Sequence, residues 1–258
     1  ALPAVVAALA ESGAALLADA RLENLLAIRQ QGVDLPLMLL RLPSPSQADE
    51  AVALADISLN SSLETIRRLS NAAERQNRMH QVILMVDLGD LREGIWPEDV
   101  LPTVRRIIEL PHIQLIGLGS NLACYGGVIP TREKMQLLID LRDECSQQTG
   151  LELPVLSGGN SANLPLLLKN EMPAGINQLR VGEAIQLGRN VIDRTPFPGT
   201  RQDTYRIVAE IVELGRKPSL PQGLLGQDAF GETPHFTDRG TRWRAICAIG
   251  RQDVVIDT

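Results

Sequence analysis

Up to about residue 200, short apolar runs alternate with amphipathic stretches. The apolar runs are AALLAD (14–19), LMLLRL (37–42), DISLN (56–60), QVILMVDLG (81–89), IQLIGLG (113–119), LPVLSGG (153–159) and INQLRVG (176–182). Between them lie RLENLLAIRQQG, SLETIRRLSNAAERQ, REKMQLLIDLRDECSQQTG and SANLPLLLKN, each with helical spacing. Continuously apolar runs of this length read as strands buried on both faces, and helical crossovers make their sheet parallel. Seven such units in one direction predict an α/β protein, a (β/α) TIM-type barrel whose site lies where its strands end. A doubly wound sheet gives the same alternation, so periodicity alone leaves both open.

The pattern changes after PFPGT (196–200). DTYRIVAEIVELG (203–215) and TRWRAICAIGRQDVVI (241–256) alternate with period two, and the stretch 217–240 between them is rich in Gly and Pro. A second, all-β domain is expected there, giving a barrel over 1–200 and a β-domain over 201–258. The opening ALPAVVAALA has no basic residues before it and runs on through Glu11, so it reads as the tail of a barrel helix, not as a secretory leader. The chain starts without Met and stops at VVIDT, straight after a strand-like run. The expectation is that both ends are cut, leaving out the first barrel strand and part of the β-domain.

Composition narrows the partners. The chain is 44% hydrophobic and 22% charged, with a formal charge of -6. No Lys/Arg block occurs, which argues against nucleic acid or an anionic membrane as partner. Cys124, Cys145 and Cys247 are too few and scattered for a disulfide scaffold or thiolate metal cluster, so no metal site and a cytoplasmic setting are expected.

The residues with chemistry gather at strand ends. LSGGNSANL (156–164) passes from a strand through two glycines into a helix with N-cap candidates Asn160 and Ser161. Free backbone N–H groups beside a serine hydroxyl suit a phosphate dianion. QLRVGEAIQLG (178–188) repeats the arrangement, with Arg180 closing a strand and Gly182 admitting a ligand to the backbone.

With MVDLGDLREG (85–94), GLGSNLACYGG (117–127) and GQDAFGE (226–232), these strings resemble the alanine/ornithine racemase branch of the fold-type III pyridoxal-phosphate (PLP) enzymes. The resemblance implies a PLP-dependent amino-acid racemase, a barrel plus a β-domain, acting on a small amino acid as a homodimer. It implies that Ser161 binds the cofactor phosphate, with the backbone N–H groups of Gly182 and Glu183. It sets Arg180 against the pyridine nitrogen, where a guanidinium keeps that nitrogen unprotonated. It gives Arg92 the substrate carboxylate, and leaves Asp87 as a structural strand-end carboxylate.

Some positions depart from the family. The Schiff-base lysine belongs at the end of the first barrel strand, and residues 1–11 already match the helix after it, so it is expected just upstream of Ala1. Lys134, Lys169 and Lys217 do not match it. Met85 stands where alanine racemases have a lysine, which points to a changed substrate; Asp19, Glu23, Asp90, Glu93 and Asp228 are candidates to receive ornithine's distal ammonium. The β-domain tyrosine falls near Phe230, which has no hydroxyl. The second proton carrier is therefore sought among Cys124, Tyr125, Asp228 and His235; Cys124 is favoured because a thiol titrates nearer neutrality than a phenol, and because Asp228 and His235 lie in the β-domain loop and would reach the site only across a dimer interface. Two other readings belong to the same fold. One is a non-catalytic PLP-binding protein; the other is a metal-assisted D-amino-acid lyase, for which His235 and Cys247 are the candidate ligands, though Cys247 is expected in a strand core.

Overall fold

A computed structural model describes residues 3–254. They form two compact units, one ending at Thr204 and one starting at Tyr205.

In the first unit, strands and helices alternate: α1 (Pro3–Glu11), β1 (Leu17–Asp19), α2 (Leu22–Arg29), β2 (Leu37–Leu39), α3 (Ala48–Leu54), β3 (Ile57–Asn60), α4 (Leu63–Arg75), β4 (His80–Met85), α5 (Val100–Ile107), β5 (Ile113–Gly119), α6 (Arg132–Thr149), β6 (Val155–Asn160), α7 (Leu164–Leu168), β7 (Gln178–Arg180) and α8 (Glu183–Leu187). Local chemistry sets the limits of the long helices. Ser62 and Thr131 cap α4 and α6 through their side chains, accepting from Thr65 N and Lys134 N, and left-handed Gly150 ends α6.

The seven strands pair in parallel and in chain order, which decides between the two architectures. A doubly wound sheet reverses its strand order partway; a barrel does not. The packing agrees, because successive residues of a strand enter different cores. Leu37 and Leu39 face the helices, in one cluster with Leu25, Val52 and Leu69. Met38 faces the other way and packs with Ile57, Leu59, Ile83, Met85 and Ile116, all from strands. The first unit is a seven-stranded (β/α) barrel. Its wall is open between β1 and β7, which share no hydrogen bonds among the described residues.

The second unit holds an antiparallel pair, β8 (Ile211–Pro218) and β9 (Thr241–Cys247). Both strands are shorter than the alternation predicts, because each persists only where the other supplies a hydrogen-bonding partner; residues 255–256 of the expected run lie outside the described residues. Cys247 corrects an expectation. It lies on a strand as expected but is exposed, because no second layer among the described residues of this unit covers the pair.

Candidate active site

The phosphate-type cradle forms where β6 and β7 end. Gly159 turns the chain with φ of +129°, and a Cβ there would stand 2.7 Å from Asn163 Nδ2, so only glycine fits. Asn160 then caps the following turn, its Oδ1 accepting from Ala162 N at 2.8 Å. Its Nδ2 donates to Asn121 Oδ1 and the Leu122 carbonyl, so this side chain is committed to tying β6 to the loop after β5. Ser161 is buried, and its Oγ accepts from the backbone N–H groups of Gly182 and Ala184, both at 3.3 Å. Its hydroxyl proton therefore remains to donate elsewhere. At Gly182 the space a Cβ would occupy is open. The Glu183 N–H, first in α8, has no acceptor within its helix. The Glu183 side chain turns to Arg189 and Arg194, leaving its backbone as the useful part.

Arg180 closes β7 and reaches across the barrel mouth. One arm of its guanidinium donates to Ser157 Oγ and the other to the Ser120 carbonyl at 2.7 Å. Burial pulls Arg180 down to about 10, with Glu93 opposing and Arg92 adding to the fall, so it remains a cation at neutral pH. The sequence shows neither anchor as such. Ser120 and Ser157 are polar residues in otherwise apolar strand ends, and that was the available signal.

The loop after β4 carries the other charged groups. Asp87 is structural, its Oδ1 accepting from Gly89 N and Leu91 N. Gly94 folds the loop back so closely that a Cβ would meet Asp87 N at 2.3 Å. Between them, Arg92 Nε lies 2.8 Å from Glu93 Oε2; Arg92 is half-exposed, whereas the Glu93 side chain is 15% exposed. Lys134 Nζ donates to the Leu88 carbonyl at 2.6 Å and braces the loop from α6.

Asp90 has a role the sequence reading missed. It is fully buried, and its carboxylate receives the N–H groups of Cys124, Tyr125 and Val128. Burial pushes its carboxyl up, but the donors of Val128, Tyr125, Cys124 and Gly126 together hold it below the usual range. Asp90 thus ties down the loop bearing Cys124, whose side chain is exposed.

A mainly apolar cavity of about 390 Å³ lies between the open edges, lined by Leu16, Leu17, Ala18, Gln178, Arg180 and Gly182 among others. Two buried polar atoms nearby have no partner among the described residues: Gln178 Oε1 on β7, and Asn121 Nδ2 beside the Asn160 contact. None of the lysines sits at the end of a barrel strand. Lys134 is on α6, Lys169 follows α7, and Lys217 is on β8.

The structure thus brings Asn160, Ser161, Gly182 and Glu183 together around one turn pair, with Arg180 on the strand entering it. Arg92 lies on a separate loop but within electrostatic reach of Arg180, while Cys124 projects from a third loop.

The profile of the alanine racemase N-terminal domain matches residues 2–189. The ornithine racemase of Acetoanaerobium sticklandii is 45% identical over 242 residues, which is 93% of this chain and 68% of that protein. The lysine racemase of Thermotoga maritima is 39% identical over 252 residues, 98% of this chain and 70% of that protein. Solved structures share the fold. Alanine racemase of Clostridium difficile aligns with a TM-score of 0.60 at 18% identity, over 96% of this chain and 62% of that one. PipY of Synechococcus elongatus, with PLP bound, gives 0.59 at 22%, over 70% of this chain and 85% of that one. The chain belongs to the alanine racemase N-terminal-domain family, whose cofactor is pyridoxal phosphate.

Proposed function

We propose that the first unit is a PLP-binding domain (1–200), with 201–258 as a β-domain, and that the protein racemises an amino acid. The observation that carries this reading is the Ser161 hydroxyl, buried between two strand-end turns and held by two backbone N–H groups with its own proton to spare. The residues fit the cofactor. The Ser161 hydroxyl and the Glu183 N–H offer donors to a phosphate; the Gly182 N–H, expected to join them, is already given to Ser161 Oγ, but the missing Cβ of Gly182 leaves room, and Asn121 Nδ2 is a buried donor in want of an acceptor.

When bound, PLP supplies an electron-withdrawing ring that acidifies the amino acid's Cα–H. The remaining work falls to the chain's own groups. Arg180, anchored by Ser157 and Ser120, would hold its cation against the ring nitrogen of the cofactor and keep that nitrogen unprotonated. Arg92 takes the substrate carboxylate on its Nη edge, because Glu93 occupies Nε. Cys124 Sγ moves a proton at Cα, on a loop fixed by Asp90. The opposite face needs an amine, and we propose for it the lysine that the family resemblance sets at the end of a barrel strand, since Lys134, Lys169 and Lys217 stand elsewhere. The substrate class we propose is an amino acid with a distal ammonium, by likeness to the ornithine and lysine racemases. Three free cysteines suit a reducing cytoplasm. A homodimer is the assembly we propose, as the family resemblance implies.

On this reading the 258-residue chain, mixed with PLP and borohydride, gains no stoichiometric adduct on Lys134, Lys169 or Lys217 by mass spectrometry. Preceded by the lysine-bearing strand, it strips the α-proton from L-ornithine in D2O with loss of optical rotation. Retention of both, with cofactor bound, overturns the racemase reading. Cys124→Ala in that protein stops interconversion but leaves exchange in one enantiomer; full racemisation removes Cys124 from the role.

A further inference from the structure

We infer that Glu93 is the residue that selects for a distal ammonium, by exchanging its ion pair with Arg92 for one with the substrate. The inference rests on the racemase reading above and assigns a task to one side chain within it.

The carboxylates near the strand ends differ in what they already hold. Asp19 Oδ1 accepts from Arg21 N and Asn24 Nδ2. Asp87 is used by the amides of its own loop, and both oxygens of Asp90 by the loop at 124–128. Glu93 differs from these three. Among the described residues its only partner outside itself is Arg92 Nε on Oε2, although its side chain is 15% exposed. Burial raises its carboxyl above the ordinary value despite Arg92, its own N–H and Arg180, so it is an anion short of solvation.

Charge balance then gives selectivity. Once a substrate carboxylate docks on Arg92, it shares the charge that Glu93 had to itself. A substrate with a distal ammonium replaces the internal pair by two pairs across the interface, and every charge stays matched. A substrate with an apolar side chain leaves Glu93 partly buried with a weakened partner, which costs binding free energy and so rejects it. The nearby Arg180 makes a spare anion useful, because Arg92 and Arg180 together would otherwise repel the ammonium.

The test needs no catalytic lysine. N-phosphopyridoxyl-L-ornithine and N-phosphopyridoxyl-L-norvaline are stable amines with the same carbon skeleton, and only the first carries the distal ammonium. The wild-type chain is expected to bind the ornithine compound about tenfold more tightly or better, measured by calorimetry. Glu93→Gln brings the ratio to within about twofold while norvaline-compound affinity holds or improves. In the wild type, the ratio also shrinks as the medium is acidified through the raised titration of Glu93. The charged groups around it are Arg92, Arg180 and Asp90; Arg180 stays cationic there, Asp90 is held below its ordinary value, and the phosphate cancels in the ratio. No preference in the wild type, a preference that survives Glu93→Gln, or a ratio constant from about pH 8 to about pH 4.5 overturns the assignment. Failure of both compounds to bind the wild type overturns the PLP reading instead.

Discussion

The hydroxyl of Ser161 lies 3.3 Å from the backbone nitrogen of Gly182, linking the turn after β6 to the turn after β7. On the proposed reading, Ser161→Ala removes a charge-assisted donor to the phosphate, and it leaves the Gly182 and Ala184 N–H groups without their acceptor. Affinity for pyridoxamine phosphate should fall about ten- to a hundredfold, or roughly 1.5–3 kcal/mol, in a calorimetric titration. Unchanged affinity removes Ser161 from the phosphate site.

Asp90 predicts an effect in a loop it reaches from a distant part of the chain. In Asp90→Asn the charge is gone and one amide oxygen must serve N–H groups that shared two carboxylate oxygens. Stability should drop by about 2–3 kcal/mol, and the amides of Cys124, Tyr125 and Val128 should lose protection from hydrogen exchange before the rest of the barrel. Protection lost evenly across the barrel argues against a local tether.

His80 makes stability depend on pH. It is buried on β4 with one ring nitrogen 2.8 Å from Ser58 Oγ, and burial, with Arg78 adding and Asp56 opposing, lowers it to about 4. Unfolded, it titrates near 6.5. Between those values the unfolded chain binds a proton that the native chain refuses, so stability falls as pH drops from 6.5 toward 4 and levels off below. The contribution is roughly 3 kcal/mol. Urea midpoints across this range should slide for the wild type and be much flatter for His80→Gln; equal slopes rule out His80 as the cause.

Arg180→Glu reverses the charge assigned to the ring nitrogen. With ¹⁵N-labelled pyridoxamine phosphate bound, the ring-nitrogen resonance should move from its unprotonated to its protonated position. An unmoved resonance with ligand bound means Arg180 faces something else.

Much of the barrel was legible because its strands are continuous apolar runs. IQLIGLG reads as a strand and is one over its whole length, Ile113–Gly119, since partners flank it on both sides. AALLAD forms a strand only at Leu17–Asp19, because β1 pairs on one edge and β2 offers it three residues. SANLPLLLKN reads as one helix but starts as a 3-10 turn over Ser161–Asn163, with Pro165 near the start of α7. Of the site, the phosphate-type turns were readable, because Gly, Asn and Ser at a strand end have local meaning. The Arg180 contacts were not. They join residues 23 and 60 positions apart, and only the side-by-side pairing of β5, β6 and β7 brings them together.

The turns after β6 and β7 are proposed to hold the phosphate of the cofactor. Equilibrium dialysis of the chain against pyridoxamine phosphate and pyridoxamine tests it directly, since neither carries an aldehyde to react with Lys134, Lys169 or Lys217. The phosphorylated form should bind at least about tenfold more tightly, and inorganic phosphate should compete with it. Equal affinity for the two compounds contradicts that proposal.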